Sequence, residues 1–199
     1  MSKRLDGKVA LITGGAAGFG KGTAETFARE GAKVYISDIN VEGGNKVAKD
    51  LGVTFLEHDV TNPDRWQEVI AEIKSQENQL NILVNNAGIY GPKGSVENCD
   101  WEEWIKTYDI NVHGSVQMCR AFVPHFKEKS YGKIIQLSGG GATNPLPNLS
   151  AYASTKAAIV RFAETLAEEV RDHGIDVNSV APGALNTKML EEIIEAGPE

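Results

Sequence analysis

Short, continuously apolar runs alternate along the chain with longer stretches of helical periodicity. Six runs have strand length; they cover residues 8–13, 33–38, 53–57, 80–84, 133–137 and 175–180. Strands that are apolar on both sides, rather than alternating, are typical of a parallel sheet covered by helices on both faces. The pattern therefore predicts an α/β fold, a doubly wound parallel sheet of the Rossmann type, with one domain spanning residues 1–199.

Helical spacing fills the intervals between these strands, at residues 23–30, from 41 onward, and at 64–76, 101–126 and 151–171. In the fourth stretch Asn111 interrupts an apolar face. A buried amide there either satisfies neighbouring backbone groups or serves chemistry, and the spacing leaves both possibilities open.

A glycine-rich segment, residues 13–20, joins the first strand to the first helix. Gly14, Gly18 and Gly20 leave room for a tight turn and let backbone amides reach a pyrophosphate at the positive end of the helix. The alternative is a glycine-rich hairpin or an ordinary helix entry. The flanking strand and helix favour a dinucleotide site.

An acidic residue, Asp38, ends the second strand and follows Gly20 by 18 residues. A carboxylate at this position can bond the hydroxyls of an adenosine ribose and would repel a 2′-phosphate. Neither neighbour, Ser37 nor Ile39, supplies a cation. The position thus favours NAD over NADP, unless Asp38 merely caps the helix that follows.

Further polar or small residues follow other strands: Asp59, the segment Asn85–Gly88, Ser138 and Pro182. In doubly wound folds the ligand lies outside the carboxyl ends of the strands. Glycine and alanine after the fourth strand permit close backbone approach, and the asparagine side chains can tie adjacent strands together.

Tyr152 and Lys156 are four residues apart at the start of an apolar helical stretch, so they share one helix face. An adjacent ammonium favours the phenolate and is expected to move the tyrosine pKa down toward neutrality, where the phenol could exchange protons. Two side chains snorkelling on a helix surface are the alternative.

Composition narrows the possible partners. The net charge is −7, without a basic tract, which argues against nucleic acid and anionic membranes. The two cysteines lack disulfide or redox spacing, the four histidines lack metal-ligand spacing, and no signal peptide or membrane span is evident. We expect a cytoplasmic protein without a bound metal.

Taken in order, these motifs resemble the short-chain dehydrogenase/reductase family over residues 7 to about 189. The carrying motifs are Thr-Gly-x-x-x-Gly-x-Gly, Asn-Asn-Ala-Gly, Ser, Tyr-x-x-x-Lys and Pro-Gly-x-x-x-Thr. The resemblance implies hydride transfer between NAD and a secondary alcohol or ketone, in an enzyme that assembles as a homodimer or homotetramer.

By the same resemblance, Tyr152 is the general acid/base, Lys156 activates it and bonds the nicotinamide ribose, and Asn111 joins a water-linked proton relay. The implied cofactor contacts are Gly14, Ala17, Phe19 and Gly20 at the pyrophosphate; Asp38 and Ile39 at the adenosine ribose; Asp59 and Val60 at the adenine; Asn86, Ala87 and Gly88 at the linking region; and Pro182, Gly183, Leu185 and Thr187 at the nicotinamide.

Two departures qualify the resemblance. The family's substrate-orienting serine sits thirteen residues before the tyrosine, where this chain has Gly139; Ser138, one residue earlier, is expected to take the role. We also expect the family's usual C-terminal elements to be lacking, because the sequence ends at Glu199. A non-catalytic NAD-binding module or a shortened inactive form therefore stands as the alternative, ahead of a sugar-nucleotide epimerase or dehydratase.

Overall fold

Six parallel strands form the centre of the molecule. The computed structural model describes residues 3–183, apart from the side chain of Pro63. The strand order is β3-β2-β1-β4-β5-β6, which confirms the predicted doubly wound sheet. The strands are β1 (Val9–Thr13), β2 (Lys33–Asp38), β3 (Thr54–Glu57), β4 (Ile82–Asn85), β5 (Gly132–Leu137) and β6 (Ile175–Val180).

Helices cover both faces of the sheet, because successive strand residues point to opposite sides. Apolar residues of β1, β2 and β4 pack on one face against α1 (Gly18–Arg29) and α2 (Val41–Leu51). The opposite face packs against α3 (Pro63–Gln76), α5 (Ser115–Lys129) and α6 (Ser150–Val170). Val9 and Leu11 face one core while Ala10 and Ile12 face the other, which explains why β1 is apolar throughout.

The first helix begins at Gly18, five residues before the predicted start at residue 23. The glycines at its start weaken the helical signal in the sequence. In the structure, Gly20 lies against the Gly14 carbonyl, so the helix begins inside the glycine-rich segment.

The prediction of one continuous α-helix over residues 101–126 is wrong, because a π-helical turn divides this region. The region consists of α4 (Trp101–Tyr108), a π-helical turn (Asp109–Gly114) and α5. Inserted π-helical turns are frequent at functional sites because they shift the side-chain register of the surrounding helix. Asn111 lies inside this turn, and Gly114 at its end packs closely on Val60 after β3.

None of the helices in residues 3–183 is long and apolar enough to cross a membrane. Over the same residues, no cluster of His, Cys, Asp and Glu side chains has the grouping needed for a metal ion.

Candidate functional site

The glycine turn packs so closely that Gly14 and Gly20 have no room for a side chain. A Cβ at Gly20 would lie 2.2 Å from the Gly14 carbonyl oxygen, and one at Gly14 would lie 2.9 Å from Cα of Ala87. Gly14 also has a φ of +65°, which disfavours any residue with a side chain. The start of α1 is thereby held against the ends of β1 and β4.

The first turn of α1 differs from those of α2, α3 and α4. Those helices are capped by the side chains of Asn40, Asn62 and Asp100, and each has an acidic residue in its first turn. Within the described part of the chain, no side chain caps the start of α1, and its first helical turn contains no acidic residue. Such amides, at the positive end of the helix dipole, suit an anionic group such as a pyrophosphate.

Asp38 lies at the end of β2 beside this turn. Its Oδ2 accepts a hydrogen bond of 3.0 Å from the Ala16 amide, and its Oδ1 accepts one of 2.9 Å from the Asn40 amide. The cap of α2 is Asn40, whose Oδ1 accepts from the Gly43 amide. The alternative that Asp38 caps this helix is therefore wrong; the carboxylate instead fixes the glycine turn.

Thr13 and Asn86 tie β1 to β4 at the carboxyl edge of the sheet. The Thr13 hydroxyl accepts hydrogen bonds of 3.0 Å from the amides of Asn86 and Ala87. The Asn86 side chain donates to the carbonyls of Thr13 and Gly14 at 2.8 and 3.0 Å. The predicted tying of strands by asparagine is thus confirmed for Asn86. Asn85 instead donates to α5, at the Ser115 carbonyl.

Other predicted cofactor residues lie along the same edge. Ile39 is 71% exposed although it is apolar, whereas Val60 is buried. The Asp59 carboxylate accepts hydrogen bonds from the Thr61 amide and hydroxyl. Pro182 and Gly183 follow β6. Ala17 and Phe19 flank the start of α1. Leu185 and Thr187 lie outside the described residues.

Tyr152 and Lys156 are both buried on α6, with exposed fractions of 9% and 6%. The Lys156 Nζ lies 5.5 Å from the centre of the Tyr152 ring and donates a 2.8 Å hydrogen bond to the Leu137 carbonyl at the end of β5. Two snorkelling surface residues would be exposed, so that alternative is wrong. The Tyr90 ring packs on Tyr152, with centroids 4.5 Å apart.

The expected fall in the tyrosine pKa does not occur. Burial raises the pKa of Tyr152 to about 12, and Tyr90 adds to the rise. Burial also lowers the pKa of Lys156 to about 8. Both shifts have one cause: an ionised side chain loses water contacts in this site, which disfavours phenolate and ammonium alike. Tyr152 is therefore a phenol at neutral pH, able to donate a proton.

Asn111 reaches from the π-helical turn to two other segments. Its side chain exchanges two 2.8 Å hydrogen bonds with the backbone of Ile89 and donates a third, of 3.1 Å, to the Thr155 hydroxyl on α6. One of the two roles that the sequence left open for Asn111, hydrogen bonding to neighbouring backbone groups, is therefore confirmed. Gly88 lies between Asn111 and Lys156, because a Cβ there would be 3.1 Å from Asn111 Oδ1 and 3.6 Å from Lys156 Nζ.

Ser138 and Gly139 follow β5. The Ser138 amide donates to the Val180 carbonyl, and its hydroxyl is buried with no hydrogen-bond partner among the described residues. A Cβ at Gly139 would lie 2.6 Å from the Tyr152 hydroxyl. The substrate-orienting role of Ser138 stays a prediction, whereas position 139 directly borders the tyrosine.

The loop after β4 and the loop before α6 contact each other. The Gly94 amide, in the loop after β4, donates a 2.9 Å hydrogen bond to the Asn148 carbonyl, in the loop before α6. Sequence reasoning missed the roles of Thr155 and the Leu137 carbonyl in holding Asn111 and Lys156. Thr155 lies inside the Tyr-x-x-x-Lys motif, so its position was a usable signal; the backbone carbonyl carries no sequence signal.

Comparisons with known proteins found similar sequences over nearly the whole chain. Residues 8–197 match the family described as short chain dehydrogenase. Cyclopentanol dehydrogenase from a Comamonas species is 35% identical over 198 residues, covering 97% of this chain and 79% of that protein. 3-beta-hydroxysteroid dehydrogenase from Comamonas testosteroni is 35% identical over 201 residues, covering 99% and 78%.

Solved structures show the same fold. A 3-ketoacyl-(acyl-carrier-protein) reductase from Brucella melitensis, complexed with NADH, has a TM-score of 0.91 and 36% identity, covering 94% of this chain and 80% of that one. Levodione reductase has a TM-score of 0.94 and 28% identity, covering 98% and 79%.

Proposed function

Because the chain belongs to the short-chain dehydrogenase family, whose members act on alcohols and ketones, we propose that it transfers hydride between NAD and a secondary alcohol or ketone. Tyr152 acts as the general acid/base in this proposal. The observation that carries it is the buried pair Tyr152 and Lys156, joined through the backbone of residues 86–88 to the glycine turn.

The backbone of residues 86–88 connects the glycine turn to the Tyr152 and Lys156 end of the site. Ala87 touches Gly14 of the turn, and Gly88 lies against Lys156 and Asn111. A ligand that binds the amides of α1 with its phosphates would therefore run along residues 86–88 to the Tyr152 hydroxyl. A dinucleotide has its phosphates in the middle and its reactive ring at one end, which fits this arrangement.

When bound, the nicotinamide supplies or accepts the hydride. Tyr152, protonated at neutral pH, donates its hydroxyl proton to the carbonyl oxygen that gains the negative charge, and the phenolate is left beside Lys156. Lys156, whose pKa is lowered to about 8, then restores the phenol's proton. We propose that Asn111 extends this proton path through Lys156. We also propose that the Ser138 hydroxyl, which has no hydrogen-bond partner within residues 3–183, bonds the substrate oxygen.

NAD is proposed over NADP because of the charge beside the turn. The Asp38 carboxylate is fixed against the Ala16 amide, where a 2′-phosphate would meet it. Its neighbours are the buried Ser37 and the exposed, apolar Ile39. The presence of NADH in the Brucella melitensis reductase structure supports this choice.

The proposed cofactor contacts comprise the described positions Gly14, Ala17, Phe19, Gly20, Asp38, Ile39, Asp59, Val60, Asn86, Ala87, Gly88, Pro182 and Gly183, together with Leu185 and Thr187. A cytoplasmic homodimer or homotetramer is also proposed. The exposed Trp101 and Ile105 on α4 support association through the helices of residues 101–126 and 153–171.

The test pairs binding with turnover. The purified chain is titrated with NADH and, separately, with NADPH by nicotinamide fluorescence, and activity is screened on secondary alcohols and ketones. Tyr152→Phe should lower turnover by about 10²-fold or more, because it removes the proton donor, and should leave NADH binding nearly unchanged.

Tyr131→Phe makes the same chemical change just before β5, at the opposite edge of the sheet, and should leave both quantities as in the parent. Equal turnover by parent and Tyr152→Phe would refute the catalytic role. NADH binding without turnover on any substrate of the panel would favour the non-catalytic binding module.

A further inference from the structure

Three consecutive glycines follow Ser138, and each meets a different environment. A Cβ at Gly139 would lie 2.6 Å from the Tyr152 hydroxyl, and one at Gly141 would lie 2.7 Å from Cα of Ala153. A Cβ at Gly140 would meet no atom of the described residues within 4 Å. The Gly139 backbone is extended, with φ of −175°, so its conformation alone does not require glycine.

We propose that Gly139 is a positioning residue for the reaction, which acts by letting the Tyr152 hydroxyl lie against the backbone at the end of β5. This inference rests on the catalytic role proposed for Tyr152.

Packing around Tyr152 prevents its ring from moving away from a side chain added at position 139. Gly141 packs directly on the backbone of Ala153, which fixes α6 one residue away from Tyr152. The Tyr90 ring covers the tyrosine ring, with centroids 4.5 Å apart. A methyl group at position 139 must therefore displace the hydroxyl itself.

The required displacement follows from the contact distance. Ordinary van der Waals contact begins at 3.4 Å, whereas the Cβ at Gly139 would be 2.6 Å from the hydroxyl oxygen. To restore ordinary contact, the hydroxyl oxygen has to move 0.8 Å away from the new Cβ. Lys156 stays in place because its ammonium is bonded to the Leu137 carbonyl. A misplacement of this size in a reacting group costs roughly 10- to 100-fold in rate.

The first measurement compares Gly139→Ala with Gly140→Ala in the full chain. Gly139→Ala should lower kcat by roughly 10- to 100-fold with little change in KM or in NADH binding, because only the proton donor moves. Gly140→Ala adds the same methyl group to open space and should behave as the parent. An unchanged kcat in Gly139→Ala would overturn the proposal.

The second measurement does not depend on activity. The Tyr152 ring carbon Cζ would lie 3.4 Å from the new Cβ, an ordinary contact, so the methyl group fits once the hydroxyl is removed. Gly139→Ala should therefore lower the urea unfolding midpoint of the parent but not that of Tyr152→Phe. Equal effects in both backgrounds would show that position 139 does not press on the hydroxyl.

The two measurements also separate this inference from the proposed function. If Tyr152→Phe retains full turnover, the catalytic proposal fails while the unfolding cycle still reports whether Gly139 borders the hydroxyl. If Tyr152→Phe is inactive and Gly139→Ala is fully active, the catalytic role stands and the positioning role is refuted.

Discussion

The buried ammonium of Lys156 should weaken the fold at neutral pH, and Lys156→Met tests this. Methionine is similar in length and apolar, so it fills the same space without the cost of burying a charge. Burial lowers the pKa of Lys156 from 10.5 to about 8. Each pKa unit corresponds to about 1.4 kcal/mol, so the burial of this charge costs about 3 kcal/mol at pH 7.

The sign of the pH dependence follows from proton binding. Between about pH 8 and pH 10.5 the lysine is protonated in the unfolded chain and neutral in the folded one. The unfolded state then binds more protons, so the parent gains stability as the pH rises through this window. Lys156→Met lacks this gain. Tyr152, whose pKa burial raises from 10.0 to about 12, makes an opposite contribution from about pH 10 upward, but it is present in both proteins and cancels in their difference.

Urea unfolding at pH 7, 8, 9 and 10 measures the difference between the two proteins. At pH 7 Lys156→Met should be more stable by less than about 3 kcal/mol, because it also loses the hydrogen bond to the Leu137 carbonyl. The advantage should shrink by roughly 2–3 kcal/mol between pH 8 and pH 10.

Lys127→Met, at an exposed lysine of α5, provides the matched control and should follow the pH dependence of the parent. A difference between parent and Lys156→Met that is constant from pH 7 to pH 10 would refute the reasoning that the ammonium is destabilised by burial.

Two further substitutions test the cofactor site. Asp38→Asn keeps an acceptor oxygen for the Ala16 amide but removes the charge, so we expect NADPH to bind more tightly relative to NADH; an unchanged ratio of dissociation constants would exclude an electrostatic role. Gly20→Ala places a Cβ 2.2 Å from the Gly14 carbonyl and should cost about 1–3 kcal/mol of unfolding free energy and weaken NADH binding. Gly22→Ala, whose Cβ would meet no atom of residues 3–183 within 4 Å, should do neither.

Strand positions were predictable from the sequence because burial on both faces demands an uninterrupted apolar run. All six predicted strands are present, with ends that differ by at most two residues. The π-helical turn was not predictable, since the apolar spacing of residues 101–126 fits an ordinary helix. What shifts the register there is tertiary: Asn111 bonds to Ile89 and Thr155, and Gly114 packs on Val60.

In the candidate site, too, residue spacing was predictable from the sequence, whereas burial and tertiary contacts were not. Spacing alone brought Tyr152 and Lys156 together on one face, but the direction of the tyrosine pKa depends on burial, which no local pattern reports. The sequence left Asp38 with two possible roles, a ribose contact or the cap of α2, and only the fold excludes the cap. Asn40 caps the helix, while Asp38 turns back to the Ala16 amide.

At neutral pH, the raised pKa of Tyr152 suits one direction of the proposed reaction. A protonated phenol suits carbonyl reduction, whereas alcohol oxidation needs the phenolate, which burial disfavours. A bound nicotinamide in its oxidised form carries a positive charge, and a positive charge near the hydroxyl would lower the tyrosine pKa. The oxidised cofactor would therefore lower the Tyr152 pKa that burial raises. Burial also strengthens this effect, because charges interact more strongly where water is excluded.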